Sequence, residues 1–440
     1  MENLVEIAEY GCEVAKKEGA EFVDVGVHSG MGMSVDVERG AVKHGDTAVS
    51  SGVSVRAFIK GGMGFTGASS LKKEDVRGAA LKAAALAKVA QPDPDFVSLP
   101  EPSGSYPVVE KLWDDNIRGV SAGKLVGYLR RSIEEVKSVR GDAIINGGAG
   151  LGHSESAIAN SLGIRASIKG SSIRMSTSVT FKEGDDVGTY FDFDNSRLLP
   201  DFNPSGIGVN AAKMALKFLG ARHIQGGVMP VVFGPLSGLS IFRVICWNAN
   251  AEDIQRNRSY LIGKKGAQIA SDIVTVVDDP LIPAGMGSGP FDGEGFPHSR
   301  LTVIEKGVLK TWLHNSYTAN KGKEKNTGNS TRGGTSITNT VVSLGTKTEK
   351  ELISEIKDGL YVAVGSIFPN PQSGDISETV DWGFKIENGE IAYPVKNVMI
   401  GMHMLEFMKN IDAISSDFRE EPGAIMPSVR VRDVRVAGGK

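Results

Sequence analysis

The chain has 440 residues, a formal net charge of -3, 40% hydrophobic and 23% charged residues. That length implies two or three domains, and that charge excludes the global basic field of a nucleic-acid-binding protein. No apolar run approaches the roughly 18–20 residues of a membrane span. The first residues, "MENLVEIAEYGCEVAKKEGAEF", read as an amphipathic helix and not as a signal peptide, so the expected compartment is cytoplasmic. Two cysteines, Cys12 and Cys246, offer no CxxC spacing for zinc or redox chemistry.

Leu4, Ile7, Ala8 and Cys12 fall at helical spacing, and this first helix is expected to end near Gly19. Residues 21–69 alternate apolar and small or polar residues between glycines, and predict four or five antiparallel strands. An alanine-rich helix follows, with Ser70 as its expected N-cap. The proline-rich stretch "QPDPDFVSLPEPSGSYP" marks a linker. A second unit repeats the order: helix "SAGKLVGYLRRSIEEVKSV", strands over 141–195 with turns at "NSLG", "KGSS" and "KEGDD", then helix "GIGVNAAKMALKFLGA". The third block is the longest. The expected fold is therefore α+β: two amino-terminal helix-plus-antiparallel-sheet units over 1–100 and 101–224, then a larger β-rich domain over 225–440 with a buried helix.

Candidate chemistry is sparse. "GGAGLGH" (147–153) has a GxGxG spacing, but a strand-like segment follows it where a dinucleotide site needs a helix, so a glycine-rich turn is the better reading. No two of the seven histidines lie within five residues of each other, which disfavours a metal site built on one element. Asp292, Glu294 and His298 cluster in "GSGPFDGEGFPHSR", either as a polar group lining a cleft or as a turn solvated by acids. "NKGKEKNTGNSTRGG" is a basic loop that could accept an extended peptide or an anion, or simply be a mobile surface loop. In "VVFGPLSGLSIFRVICWNAN" the helical part has no continuous polar face and is expected to be buried, with Arg243 either paired or reaching out to solvent.

Several segments, in order, resemble the TldD/PmbA (TldD/TldE) family of metallopeptidase-like proteins: "VVFGP", "TVVDDP", "PFDGEG", "GVLKTWLHNSYTANK", "TGNSTR", "SGDIS", "GFKIENGE" and "YPVKNVMI". Upstream, "SGVSVRAFIKGGMGFTGAS" and "ANSLG" resemble its amino-terminal and middle segments. The catalytic branch carries HExxxH on the helix after the "VVFG"-type strand, and a late cysteine completes the metal site. Ungapped counting sets Arg243 and Asn248 where the histidines would be, Val244 at the glutamate and, within a residue or two, Met426 at the cysteine. A guanidinium has no lone pair, valine is neither ligand nor base, and asparagine and methionine are poor zinc ligands.

The resemblance therefore implies the PmbA/TldE branch: a chain with no catalytic residue, metal or cofactor of its own. Its expected role is the non-catalytic subunit of a TldD/TldE-type metalloprotease heterodimer that processes unfolded or extended peptides. An HExxxH-bearing TldD-like partner would supply a divalent metal, most simply zinc. Asp292, Glu294, His298, Thr327, Asn329 and Arg332 are then candidate groove or interface residues. The alternative is a stand-alone peptide- or protein-binding homodimer without catalysis. Neither reading calls for nucleic acid or membrane.

Overall fold

The computed structural model of the protein describes residues 3–439. Helix α1 (Leu4–Lys17) starts at Asn3, whose side chain accepts the Val5 amide, and buries Leu4, Ile7, Ala8, Cys12 and Ala15. Strands β1 (Phe22–Glu38), β2 (Ala41–Ile59) and β3 (Gly62–Ala68) follow, then helix α2 (Lys73–Val89). Three strands thus stand where four or five were expected. Gly26, Gly30, Gly32, Gly45 and Gly52 lie inside extended strands, while the real turns are Arg39–Gly40 and Lys60–Gly61. Both residues of each turn have positive φ, as a two-residue hairpin of right-twisted strands requires. The N-cap of α2 is Lys72; Ser70 sits two residues earlier and accepts the Lys72 amide.

The second unit comprises α3 (Asp115–Arg118), α4 (Ala122–Val139), β4 (Ile144–Asn160), β5 (Arg165–Glu183), β6 (Asp186–Ser196) and α5 (Ile207–Lys217). The expected turns at "NSLG" and "KEGDD" are present, with Gly163 and Gly184 at positive φ. "KGSS" and "GGAGLGH" are not turns: they lie within β5 and β4. Their glycines serve close approach instead. A Cβ on Gly147 would come within 2.3 Å of the Ser176 carbonyl, and one on Gly148 within 2.8 Å of Asp36 Oδ1.

The two units share one sheet. β1 pairs β4 antiparallel from Asp24–Asn160 to Val37–Gly147, giving the order β3-β2-β1-β4-β5-β6. Val23, Val25 and Val27 pack under α1 and α2. Val35 and Val37, on the same face by the period of two, pack in the core of α4 and α5. The opposite face carries Asp24, Gly26, Gly30, Gly32, Ser34 and Asp36.

The carboxyl-terminal block runs β7 (Gly227–Phe233), α6 (Pro235–Asn248), α7 (Ala251–Gln255), β8 (Val276–Asp278), β9 (Leu301–Glu305), β10 (Val308–Leu309) and α8 (Ser316–Gly322). It continues through β11 (Thr340–Val342), α9 (Glu349–Ser354), β12 (Asp358–Val364), β13 (Asp375–Val380), β14 (Trp382–Glu387), β15 (Glu390–Val395), β16 (Val398–His403), α10 (Met404–Lys409), β17 (Ile411–Glu421) and β18 (Ala424–Ala437). An eight-stranded sheet holds β7 between β12 and β18, and a four-stranded sheet holds β8 between β9 and β11. The proline-rich linker, residues 91–107 of the connection between α2 and α3, is strapped down. Tyr317 donates to Asp93, Tyr106 to the Gly295 carbonyl and Asn160 to the Pro100 carbonyl. No helix among the described residues is long and apolar enough to cross a membrane.

Candidate functional site

Helix α6 carries the positions that the resemblance singles out. Gly234 caps it and Pro235 opens it, as suits a first turn whose amides have no helical partner. Close packing then fixes its place. A Cβ on Gly234 would sit 2.4 Å from the Tyr361 hydroxyl, and one on Gly238 would sit 2.3 Å from the Pro427 carbonyl of β18. Leu239, Ile241, Phe242, Val244, Ile245 and Cys246 are buried in the domain core. Leu236, Ser240, Arg243 and Trp247 form the remaining face, and Trp247 is 50% exposed. The expectation of a helix buried all round is corrected here, and of the two readings of Arg243, paired or reaching out to solvent, the second is observed. Arg243 stands at the solvent surface and, among the described residues, joins no ion pair.

The four implied positions do not form a ligand set. Arg243 points outward, while Val244 lies in the core. The Asn248 amide is engaged with the Tyr260 hydroxyl at 3.2 Å, and Met426 is half-buried in β18 opposite Arg419. Their chemistry does not fit a divalent metal: a cation, a hydrocarbon, an occupied amide and a thioether. Cys246 is fully buried, and burial raises its thiol far above the usual range, which makes it inert. Among the described residues no three His, Cys, Asp or Glu side chains are grouped to hold a metal ion.

The acidic turn and the basic loop do come together, at the joint between the amino-terminal sheet and the carboxyl-terminal domain. Arg56 of β2 is its centre. Its Nε donates to Asp24 Oδ2 at 2.7 Å, its Nη2 to Glu294 Oε1 at 3.1 Å and its Nη1 to the Arg332 carbonyl at 2.8 Å. The other Glu294 oxygen accepts the Ser316 amide and hydroxyl at 3.0 and 2.7 Å. Arg332, in the left-handed region at φ 67°, reaches over Gly26 to pair with Asp24 and Ser54. Burial opposes the charge of Asp24, and Arg56 and Arg332 overcome it, holding this carboxyl below the usual range.

The remaining candidates are engaged within the chain. Asp292 accepts the amides of Glu294, Phe296 and Ser330 at 2.9–3.0 Å. Burial, reinforced by the Glu294 charge, still pushes it up to about 7. His298 Nδ1 lies 2.8 Å from the Gly289 carbonyl, and the Thr327 hydroxyl bonds both backbone groups of His314. Asn329 donates to Asp278 at 2.7 Å and to the Ser336 carbonyl. Asp24 and Arg56 escaped the sequence reading, though a lone charge within "FVDVGV" and "VSVRAF" signals a buried pair.

Open space lies elsewhere. The glycine-lined face of β1, β4 and β5 is the floor of a trough of about 570 Å³, bordered by Ser34, Asp36, Gly148, Gly150, Arg174 and Asn195. No side chain rises from Gly30, Gly32, Gly150 or Gly152, which leaves the sheet bare along this strip.

Three family models match the chain in order: PmbA/TldA metallopeptidase domain 1 over 23–87, the central domain over 115–219 and the C-terminal domain over 226–438. Metalloprotease MJ0996 of Methanocaldococcus jannaschii is 24% identical over 92% of either chain. The Metalloprotease PmbA homolog of Buchnera aphidicola subsp. Acyrthosiphon pisum is 29% identical over 63% of this chain, which spans only 62% of that protein. Among solved structures, TldE from Thermococcus kodakarensis matches with a TM-score of 0.88 and 25% identity, covering 98% of this chain and 100% of that one. The domain order, the α+β architecture and the sequence likeness agree: the chain belongs to the PmbA/TldD metallopeptidase family.

Proposed function

We propose that this chain is the metal-free, TldE/PmbA-like subunit of a cytoplasmic TldD/TldE-type metalloprotease heterodimer acting on unfolded or extended peptides. The observation that carries the reading is the chemistry of α6. The position implied for the first ligand, Arg243, is an exposed guanidinium, the position implied for the general base is core Val244, and Asn248 is committed to Tyr260. A guanidinium repels a cation and valine takes no proton, so these positions supply neither ligand nor base. In this reading the metal and the base come from an HExxxH-bearing homologue, and this chain contributes wall and fold.

The test is reconstitution. The purified chain alone should bind no stoichiometric zinc or iron and leave casein and short peptides intact. Mixed with an HExxxH homologue from the same cell, it should yield chelator-sensitive cleavage exceeding that of the homologue alone. One metal per chain by elemental analysis, or chelator-sensitive cleavage by this chain alone, would overturn the proposal.

A further inference from the structure

The trough on the open face of the amino-terminal sheet carries two opposite charges with a bare strip between them. Asp36 of β1, Gly148 of β4 and Ser176 of β5 stand in one cross-strand row, and Ser34, Gly150 and Arg174 stand in the next. The carboxylate and the guanidinium therefore rise from one face, on either side of a strand that offers only glycines there. Two strand spacings and an offset of two residues set their Cα atoms about 12 Å apart. The Asp36 carboxylate leans over Gly148, 2.8 Å from where a Cβ would be. Both side chains are exposed, and among the described residues neither joins an ion pair. The acids nearest to Arg174 along β6 are engaged elsewhere. Asp194 accepts the Asn203 amide at 2.7 Å, and Asp192 pairs with Arg419 at 3.2 Å.

We propose that this trough binds a peptide of two or three residues with both ends free, lying extended across β4 with its ammonium group on Asp36 and its carboxylate on Arg174. The charges of the site are those of such a ligand, placed at its two ends. An extended peptide advances about 3.4 Å per residue, so two or three residues carry their end charges far enough apart to meet both groups. A single amino acid holds both charges on one Cα and can meet only one of them. The guanidinium offers a carboxylate two parallel N–H groups, the geometry that makes such pairs specific. The glycine floor lets a second backbone approach the sheet closely. Ser34, Ser172 and Ser176 line the same trough with hydroxyls that can bond the peptide amides, and Phe193 and Met286 border it with apolar surface. The site shares no residue with α6, so it stands or falls apart from the metal-free reading.

Isothermal titration of the full chain with trialanine should show one site per chain. N-acetyl-trialanine lacks the ammonium group and trialanine amide lacks the carboxylate. Each should bind at least about tenfold more weakly, as the loss of a charge-assisted hydrogen bond implies. Arg174→Gln should weaken trialanine by the same factor and leave the affinity for the amide unchanged. Asp36→Asn should do the same for trialanine and leave the affinity for the acetylated peptide unchanged. Both side chains are exposed, so both variants should keep the wild-type thermal melt. A wild-type chain that does not bind trialanine at millimolar concentration, variants that bind it as the wild type does, or variants that weaken free and blocked peptides alike overturn the proposal.

Discussion

Arg56 answers to two carboxylates from two domains, Asp24 and Glu294, in a nearly dry joint. Removing one partner of a buried ionic group strands the other charges, which typically costs about 3–5 kcal/mol. Arg56→Met should therefore lower stability by about 3 kcal/mol in urea unfolding, the residual Asp24–Arg332 pair keeping the loss near the lower end. Gly26 tests the same joint from the backbone side. A Cβ there would meet Arg332 Nη1 at 2.4 Å, so Gly26→Ala should displace the arginine from Asp24. In an Arg332→Ala background the same glycine substitution should cost almost nothing, and a double-mutant cycle reads that coupling.

The pH dependence of this joint has a definite sign. Asp292 has a folded pKa of about 7 against an ordinary 3.8, so the folded state keeps a proton that the unfolded chain has lost. Its contribution therefore makes stability fall as pH rises from about 4 to about 7. His314, which burial lowers to about 4, acts oppositely and weakens the fold as pH drops from 6.5 toward 4. Comparison with Asp292→Asn isolates the first effect. The wild-type urea midpoint should fall relative to the variant's between pH 5 and pH 8, and parallel profiles would refute the assignment.

At the scale of elements, α6 has two faces with different tolerances. Arg243→Ala, on the exposed face, should change stability by no more than about 0.5 kcal/mol. Val244→Glu sets a carboxylate in the core and should cost at least about 3 kcal/mol, as thermal unfolding will show. Rebuilding an HExxxH pattern by substitution is thus opposed by packing, because Val244, the position that the resemblance implies for the general base, faces inward. The helices were legible for a simple reason. Their apolar spacing, as in Leu125, Leu129, Ile133 and Val136 of α4, survives any tertiary context. The long strands were not, because glycine reads as a turn in sequence while Gly148, Gly150 and Gly152 serve close packing and an open trough within β4. Likewise the apolar composition of α6 hid the narrow stripe of Leu236, Ser240, Arg243 and Trp247. The Asp292 and Glu294 turn was visible as a cluster, but not its partner Arg56, 238 residues from Glu294.

Over the whole molecule, three family domains do not amount to three independent bodies. β1 and β4 fuse the first two into one sheet, and the Arg56 joint and the strapped linker bind that sheet to the third. A single calorimetric transition is the expected outcome, with ΔH from the heat matching ΔH from its temperature dependence. Two resolved transitions in the wild type would show the joint to be weak, whereas Arg56→Met combined with Arg332→Ala should split the peak.

The distance along the chain between Arg56 and Glu294 also has a meaning in time. During synthesis at about 5–20 residues per second, roughly 10–50 s separate the emergence of the arginine from that of its second carboxylate. Throughout that interval Arg56 has Asp24 beside it but lacks Glu294 and the Arg332 carbonyl. The joint therefore closes only after Glu294 and Arg332 have been made, and a chain truncated before them cannot close it.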